Sequence, residues 1–518
     1  MRERVRAPTR PTVSSLFTLE KRGKKDVSAA RRRPSTRRTT GSDRREGSIM
    51  RKVALLGTVF AVLGLAVAAG AQTATGQISG TVKDVTGSVV PGTTVTIRSE
   101  LTGSERTTTT DERGDYVFAL LQPSTYSVTA ELQGFRTARE AGIRLLVDNR
   151  IRVDLTLALG EMTETIEVQA GAVALESESA RIGQTLTEKQ ITELPLDGRN
   201  FLSLLFLNAG AVETSGEQGG MRSGVGNAIS IQGARATSNN FMIDGTANID
   251  TALGTPAAIL SVDAMEEFTQ QNKTYSAEYG FSANQINLIS KSGTNQFHGT
   301  AFLFGRNEAL DARNFFDPPD QAKPELDQKQ FGGTFSGPII RNKTFLLFNY
   351  EGTRIDRGNS GFAIVPTAEM LEGRFPETIT DPRTGQPFAN NTIPGDRWSR
   401  MARLAVDQGW FPAPNTDAPQ GNYQFVTTLP QEQNQFNVRV DQDLSRFGRA
   451  FFRYTKTTFD NETGGDIWQG GRRVFEQDTT NWQVSHTWPI ESNIVNVFRL
   501  GRVDARADQH GIPCPQDQ

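Results

Sequence analysis

The stretch INLISKSGTNQFHGTAFLFGRN, residues 286–307, joins two kinds of sequence in this 518-residue chain. Residues 286–291 predict a strand at the end of a region of mixed periodicity. From His298 onward the pattern has a period of two, with Phe302 and Phe304 on one side of the predicted strand. We therefore expect a mainly β protein in which a mixed domain is followed by long alternating strands.

The alternation continues through the rest of the chain. Residues 435–441 and 482–488 each alternate apolar with polar side chains. Segments of about ten such residues are typical of a transmembrane β-barrel with a polar lumen, and a soluble sandwich with one solvated face has the same pattern. Aromatic residues that suit interfacial girdles are Tyr350, Tyr454, Trp482 and Trp488. We predict roughly seven strands and an external loop between residues 352 and 430; the strands lie near 298–307, 330–340, 343–352, 434–443, 449–459, 478–488 and 492–504.

Two regions precede these strands. Residues 76–160 alternate with a period of two, and the turns between the runs predict a small antiparallel β-sandwich of roughly seven strands. Residues 171–293 mix helical and strand signals and predict an α+β domain. Its expected elements are a capped helix from Thr187, a helix over 200–207, two strands around an Asp244-Gly245 turn, and a helical stretch over 262–280.

Residues 50–71 have the order of a secretory signal peptide, with Ala69 and Ala71 forming the cleavage site. Residues 1–49 contain fifteen Lys and Arg against five Asp and Glu and are expected to be disordered. A basic arm directly before an export signal is hard to reconcile with nucleic-acid binding. We therefore expect translation to start at Met50.

Composition excludes several classes of function. Residues 72–518 carry 39 basic and 53 acidic residues, which argues against nucleic acid as a partner. The single cysteine, Cys514, excludes an internal disulfide. The three histidines, His298, His486 and His510, stand far apart and do not give the ligand spacing of a zinc hydrolase. We predict no catalytic residues, no metal and no cofactor, and thus not an enzyme.

GTVKDVTGSVVPGTTVTI, residues 80–97, and TDERGDYVFALLQPSTYSVTAELQGF, residues 110–135, resemble the carboxypeptidase regulatory-like domain, a transthyretin-type sandwich. The resemblance covers residues 76–160 and implies no peptidase activity.

The central region resembles the plug domain of TonB-dependent outer-membrane receptors. The positions that carry this resemblance are Gly233, Arg235, Asp244, Gly245, Asn287 and Lys291, with Ala234 as a departure from the wider family. LPLDGRNF, AEYG, KSGTNQFHGTAFLFGRN and FGGTFSGPI are similar to the Oar-like branch of these receptors. The resemblance implies a plug over residues 171–293 and the first barrel strands over 298–518.

The resemblance also implies function: TonB-driven transport of an unidentified large ligand, inward or outward, across the outer membrane. The sandwich and plug would lie on the periplasmic side. The TonB-box candidate lies in the linker, residues 161–170, expected to be unpacked, and comprises Glu164, Thr165, Ile166, Glu167 and Val168. Asp244 would have a structural role. Arg235 would either pair with Asp244 or face the barrel wall. Polar inward positions would be solvated channel lining; they are Arg439, Asp441, Arg449 and Arg453.

Seven strands cannot close around a plug, because plugged outer-membrane transporters have about 22 strands. We therefore expect the sequence to be the front part of a longer receptor. Two alternatives remain open: an exported surface or adhesion protein without transport, and a carbohydrate-binding or hydrolytic β-protein.

Overall fold

The computed structural model describes residues 75–160, 165–169, 183–214, 229–251, 254–272, 275, 282–313, 323–463, 473–491 and 494–511. The basic extension, the signal peptide, Glu164 and Cys514 lie outside the described residues. The chain is mainly β, as the sequence predicts. Among the described residues, no helix combines the length and apolar character needed to span a bilayer.

The first unit, which we call the sandwich, comprises residues 75–160 and the strand that follows. Its strands are β1 (Gly76–Asp84), β2 (Thr94–Ser99), β3 (Glu105–Thr109), β4 (Asp115–Leu121), β5 (Ser124–Glu131), β6 (Thr137–Leu145), β7 (Arg150–Arg152), β8 (Leu155–Leu157) and β9 (Thr165–Gln169). They form one sheet in which β1 pairs with β4, β7 and β8, and a second sheet in the order β3-β2-β5-β6-β9. Apolar side chains of both sheets form one core, which includes Ile78, Val95, Phe118 and Val128.

The sandwich differs from the predicted antiparallel arrangement. β1 pairs with β7 and with β8 in parallel, and β9 pairs with β6 in parallel. The last pairing also means that residues 165–169 form a strand on the sandwich and not the unpacked linker that the sequence predicts. Alternation identifies strands but carries no information on their relative direction.

The second unit, which we call the central unit, spans residues 183–290. The elements are β10 (Gly183–Thr187), α1 (Glu188–Glu193), β11 (Ala211–Glu213), β12 (Ile229–Ile231), β13 (Asn239–Ile243), β14 (Thr246–Ala247), β15 (Ile249–Asp250), β16 (Thr255–Pro256), β17 (Met265–Asn272) and β18 (Asn284–Ser290), with short 3-10 helices that include Phe201–Leu207 and Val262–Ala264. The main sheet has the order β10-β17-β18-β13-β14.

Two local predictions for the central unit, a capping box and a helical stretch, differ in how well they agree with the structure. The backbone N–H of Thr187 donates to Oε1 of Gln190 at 3.0 Å, so the predicted capping box opens α1. The predicted helical stretch over 262–280 is wrong for residues 265–272, which form the strand β17, whereas Val262–Ala264 is a short 3-10 helix. β17 lies between β10 and β18 and is buried along almost its whole length. Tertiary pairing therefore overrides the helical propensity of its Met, Glu and Gln residues.

The third unit, which we call the long sheet, spans residues 298–511. Its strands number seven, as the sequence predicts, and pair antiparallel in chain order; they are β19 (His298–Asn307), β20 (Leu326–Ile340), β21 (Thr344–Ala363), β22 (Tyr423–Asp443), β23 (Arg449–Thr463), β24 (Arg473–Pro489) and β25 (Val495–Gly511). Most are longer than predicted. β21 and β22 extend into the predicted external loop, which also contains α2 (Ala368–Leu371) and α3 (Arg400–Asp407).

The two faces of the long sheet differ in chemistry. The face that contacts the central unit, the inner face, carries buried polar side chains such as Asn437, Thr455 and Gln483. The opposite, outer face carries a band of apolar side chains that includes Phe348, Val438, Phe452, Val484 and Leu500. The predicted girdle residues Tyr350, Tyr454, Trp482 and Trp488 share this outer face. A polar inner face and an apolar outer face are the pattern of a sheet between lipid and a polar lumen.

The sandwich contacts both of the other units. The backbone N–H of Val147 donates to Oε2 of Glu267 at 2.8 Å, and Nε2 of Gln271 donates to Oδ2 of Asp148 at 2.6 Å. The backbone N–H of Asn295, in the link before β19, donates to the carbonyl of Leu101 at 3.1 Å, and Oδ1 of Asn295 accepts from the N–H of Asn342 in a short turn of the long sheet at 2.8 Å. Glu267 is buried in this contact, and desolvation, the main cause, raises the pKa of its carboxyl to about 8.

The raised pKa of Glu267 predicts that the sandwich docks less tightly as pH rises. The docked state holds a proton that an exposed glutamate, with a pKa near its ordinary 4.5, has lost. Docking is therefore fully favoured below about pH 4.5 and weakens towards pH 8, by at most about tenfold per pH unit. Hydrogen exchange at Val147, measured from pH 5 to 8.5 and corrected for the intrinsic rate, checks this. Glu267→Gln should abolish the dependence, and an equal pH response in this variant would contradict the assignment.

Candidate functional site

The contact between the central unit and the inner face of the long sheet is organised by the Asp244-Gly245 turn. Asp244 and Gly245 have φ values of 50° and 76°, which suits a tight turn between β13 and β14. Gly245 donates its N–H to Oδ1 of Asn287 at 3.1 Å, and Asp244 donates to the carbonyl of Leu288 at 2.9 Å. The turn is thus held against β18, and the Asp244 side chain is fixed in a buried position.

The Asp244 carboxylate has partners in both units. Within the central unit it accepts hydrogen bonds from the N–H and the hydroxyl of Ser290, at 2.9 and 2.7 Å. From the long sheet, Nε of Arg453 donates to Oδ2 at 2.8 Å, and Nη1 of Arg439 lies 3.5 Å from Oδ1. Asp441 holds Arg439 through two further bonds, at 2.9 and 2.8 Å. Two acidic and two basic side chains therefore form a buried cluster with no net formal charge.

This arrangement corrects two expectations. Arg439, Asp441 and Arg453 are not solvated channel lining, since all are buried and Arg453 is only 1% exposed. Arg449 lies nearer the chain turn, with Nε 3.8 Å from Asp443. Arg235 is exposed, and the Asp244 carboxylate is occupied by Arg453 and Arg439 instead. The alternation identified the inward positions but could not show that another unit fills the space in front of them.

A second ionic cluster, absent from the sequence-based prediction, surrounds Arg199. Its Nη2 lies 2.7 Å from Asp263 of the central unit, and its Nε lies 3.2 Å from Glu351 of β21. Ser261 donates its hydroxyl to the second Glu351 oxygen at 2.6 Å. The Arg199 guanidinium also lies 4.3 Å from the centre of the Phe302 ring. Phe302 therefore faces the central unit, and Leu303 occupies the outer side of β19.

The sequence did contain a signal for this cluster. Arg199 ends the Asp-Gly-Arg turn of LPLDGRNF, where Gly198 has a φ of 63°. Glu351 is a carboxylate at an inward position of an alternating strand. Taken alone, Arg199 and Glu351 are each interpreted more simply as a surface charge. Only the tertiary contact shows that the two residues are partners.

Amide and hydroxyl contacts connect the same surfaces between the two clusters. Thr246 donates its hydroxyl to Oε1 of Gln483 at 2.8 Å, and Nδ2 of Asn481 donates to Oδ1 of Asn248 at 3.1 Å. The N–H of Ile259 donates to the hydroxyl of Thr457 at 3.0 Å. Hydrogen bonds and ion pairs thus account for much of this interface, whereas the apolar core of the central unit is internal.

The remaining predicted positions have local roles. Gly233, with a φ of 73°, forms a turn after β12, and Asn287 is the acceptor already described. Lys291 pairs with Glu188 of α1 at 2.8 Å. Of the TonB-box candidate, residues 165–168 lie in β9. Among the described residues, no group of three or more His, Cys, Asp or Glu side chains is placed to hold a metal ion.

Comparison with known proteins shows which families of protein this chain is similar to. Residues 289–514 match the family model of the outer membrane beta barrel domain, and residues 77–158 match the carboxypeptidase regulatory-like domain. Residues 289–514 are therefore similar to an outer-membrane β-barrel domain, and the location of the chain is the outer membrane. It is homologous to the TonB-dependent transporter Oar of Myxococcus xanthus, with 26% identity over 270 residues. That match covers 49% of this chain and 24% of Oar, so the chain spans about a quarter of the length of this relative.

Two of the solved structures that are similar to this chain are a transporter and a siderophore receptor. The outer membrane transporter YddB from Escherichia coli is 12% identical, with 59% of this chain and 36% of YddB covered and a TM-score of 0.39. The siderophore receptor PiuA from Acinetobacter baumannii is 13% identical, with 64% of this chain and 46% of PiuA covered and a TM-score of 0.35.

Removing the Asp244 charge should weaken attachment of the central unit. Asp244→Asn leaves two buried arginines short of a counter-charge, which costs about 3–5 kcal/mol. The measurement is the urea concentration at which the amides of Gly245 and Ser290 lose protection from hydrogen exchange.

A matched control is Asp478→Asn, which breaks the exposed pair with Lys456 on the outer face. An exposed pair contributes less than about 1 kcal/mol. Equal effects of the two substitutions would show that the Asp244 cluster does not hold the interface.

Arg199→Lys should also weaken the interface although it keeps the charge. A lysine ammonium cannot bond both Asp263 and Glu351 in this fork geometry while stacking on Phe302. We therefore expect the interface between the central unit and the long sheet to lose about 2 kcal/mol of stability. Faster hydrogen exchange over residues 201–207 would report this weakening of the interface. The control is Arg306→Lys, whose pair with Asp311 is largely exposed and should tolerate the change.

Proposed function

We propose that this protein is a TonB-dependent outer-membrane transporter in which the central unit is the plug and the long sheet is part of the barrel wall around it. The plug blocks the lumen, and its remodelling by an energised periplasmic partner lets a large ligand pass. Homology to a TonB-dependent transporter supports the class of protein.

The observation that carries the proposal is the polar, charge-balanced contact between the central unit and the inner face. A plug has to be held firmly at rest and must still separate from the wall. An apolar interface would expose its surface to water on separation, at about 25 cal/mol per Å². Hydrogen bonds can be exchanged for bonds to water at a net cost of about 1 kcal/mol each. The amide contacts of Gln483 and Asn481 and the hydroxyl contact of Thr457 suit such an interface.

The orientation in the membrane follows from the lengths of the connections. The strands of the long sheet are joined by short turns at residues 341–343, 444–448 and 490–494, and by long connections at the other end. Outer-membrane barrels have short periplasmic turns and longer extracellular loops. The sandwich contacts the short-turn end, through Leu101 and Asn295. We therefore assign the sandwich and the TonB-box candidate to the periplasmic side.

The proposal predicts that the buried interface opens only when the partner is energised. Ser290→Cys, in a background with Cys514→Ser, places a thiol at a position that is 4% exposed. We expect a periplasmic maleimide to label it in energised cells that produce the protein from its own gene. Labelling should fall at least about tenfold when an uncoupler is added.

Ile166→Pro is the matched variant, because proline in β9 removes a backbone donor needed for strand addition. It should reduce labelling as the uncoupler does. Labelling that is independent of both treatments would favour a surface or adhesion protein without coupled transport.

A further inference from the structure

The open edge of β9 is an interaction surface that the proposed function does not specify. β9 begins five positions after Gly160 and pairs in parallel with β6, from Thr137 opposite Thr165 to Ala141 opposite Gln169. It is the last strand of the five-stranded sheet, so within the described chain no strand lies on its other side. We propose that the sandwich presents residues 165–169 as an edge strand already extended, and that a strand of the TonB-type partner adds to this open edge. This deepens the proposed function and rests on it.

The edge of the sandwich is shaped for a strand of this length. Gly142 has a φ of 75°, and the pairing of β6 with β5 shifts register between Tyr126 and Val128, opposite this point. The N–H of Gly142 donates to Oε1 of Glu100 at 3.1 Å, which fixes the irregularity. The described pairing with β9 reaches Ala141, immediately before Gly142. A bulge of this kind bends the strand and ends regular pairing, so the β6 edge offers a slot of five residues.

Pairing with β6 leaves half of the β9 backbone groups available. The N–H and C=O groups of a strand point alternately to its two sides, so one neighbour satisfies only one side. The free side of an edge strand is a template for another chain. The partner's chemistry is therefore the unpaired edge of a second β-sheet, which bonds mainly to backbone and tolerates variation in side chains.

Presentation by the sandwich should raise the affinity for the partner. A free segment must be ordered when it binds, and fixing one residue's backbone lowers an equilibrium constant by about tenfold. In the intact chain part of this ordering has occurred before the partner arrives, as in other preorganised binders. The short connection from Gly160 also keeps the segment close to the β6 edge. We expect the chain to bind at least about tenfold more tightly than the same segment as a free peptide.

A disulfide across the β6–β9 pair tests the proposal. Arg139 and Glu167 lie opposite each other, and neighbouring strands are about 4.8 Å apart, within the span of a disulfide. The test protein is the full chain with Arg139→Cys, Glu167→Cys and Cys514→Ser, purified in detergent. The control has Thr96→Cys, Thr107→Cys and Cys514→Ser, at the far end of the same sheet, where the two threonine hydroxyls are 3.2 Å apart.

Binding is measured by calorimetry with the purified C-terminal domain of a TonB protein, for each chain oxidised and reduced and for a peptide of residues 161–171. We expect the Arg139–Glu167 disulfide to form and the oxidised chain to bind at least as tightly as the reduced chain. Both should bind at least about tenfold more tightly than the peptide, and oxidation of the control should change nothing.

Other outcomes overturn the proposal in distinguishable ways. Binding by the reduced chain that is lost on oxidation would mean that the sandwich conceals the segment. A disulfide that forms in the control but not across β6 and β9 would mean that the strands do not pair. An absence of binding in every arm, the peptide included, would remove the proposed TonB coupling itself.

Discussion

Asp244 imposes the constraint on which the arrangement of this protein depends. A carboxylate that is 3% exposed must be neutralised where it lies, and here the neutralising charges come from a different part of the chain. Arg439 and Arg453 lie directly opposite each other on β22 and β23. A shift of one residue in either strand would turn its arginine to the outer face. The cluster therefore sets the position of the central unit and matches it to one register of the wall.

The units are stabilised in a different way from the contacts between them. The sandwich and the central unit each enclose an apolar core of their own, built around Ile97 and Phe118 in the first and around Phe241 and Phe268 in the second. The surfaces between the central unit and the long sheet meet mainly through amides, hydroxyls and balanced charges, and the inner face also buries the apolar side chains of Phe345, Leu347 and Phe451. Units with this division of interactions keep their internal structure when their mutual contacts exchange with water, which a plug requires.

The sequence predicts the strands well because a period of two follows directly from strand geometry. β19 has the predicted bounds, and all seven strands of the long sheet are recovered from alternation alone. β17 was missed because its Met, Glu and Gln residues favour helix in isolation, and only pairing with β10 and β18 makes them a strand. The ionic clusters were out of reach for a related reason. Arg453 and Asp244 are separated by 209 residues, and no local pattern indicates that each is the other's partner.

The order of strands in the central sheet suggests how a pull at β9 would act under the proposed function. The chain leads from β9 to β10, which is one edge of the sheet, whereas β13 and β14, which flank Asp244, lie at the other edge. β10 pairs antiparallel with β17, with Gly183 opposite Gln271 at the end nearest the pull. A force at this end that acts across the strand breaks the backbone bonds of β10 one after another, which needs less force than breaking them together. β10 can therefore leave the sheet while the Asp244 cluster still holds the opposite edge to the wall. Glu267 and Gln271, which contact the sandwich, lie on β17, so the same peel would expose one edge of the strand on which the sandwich docks.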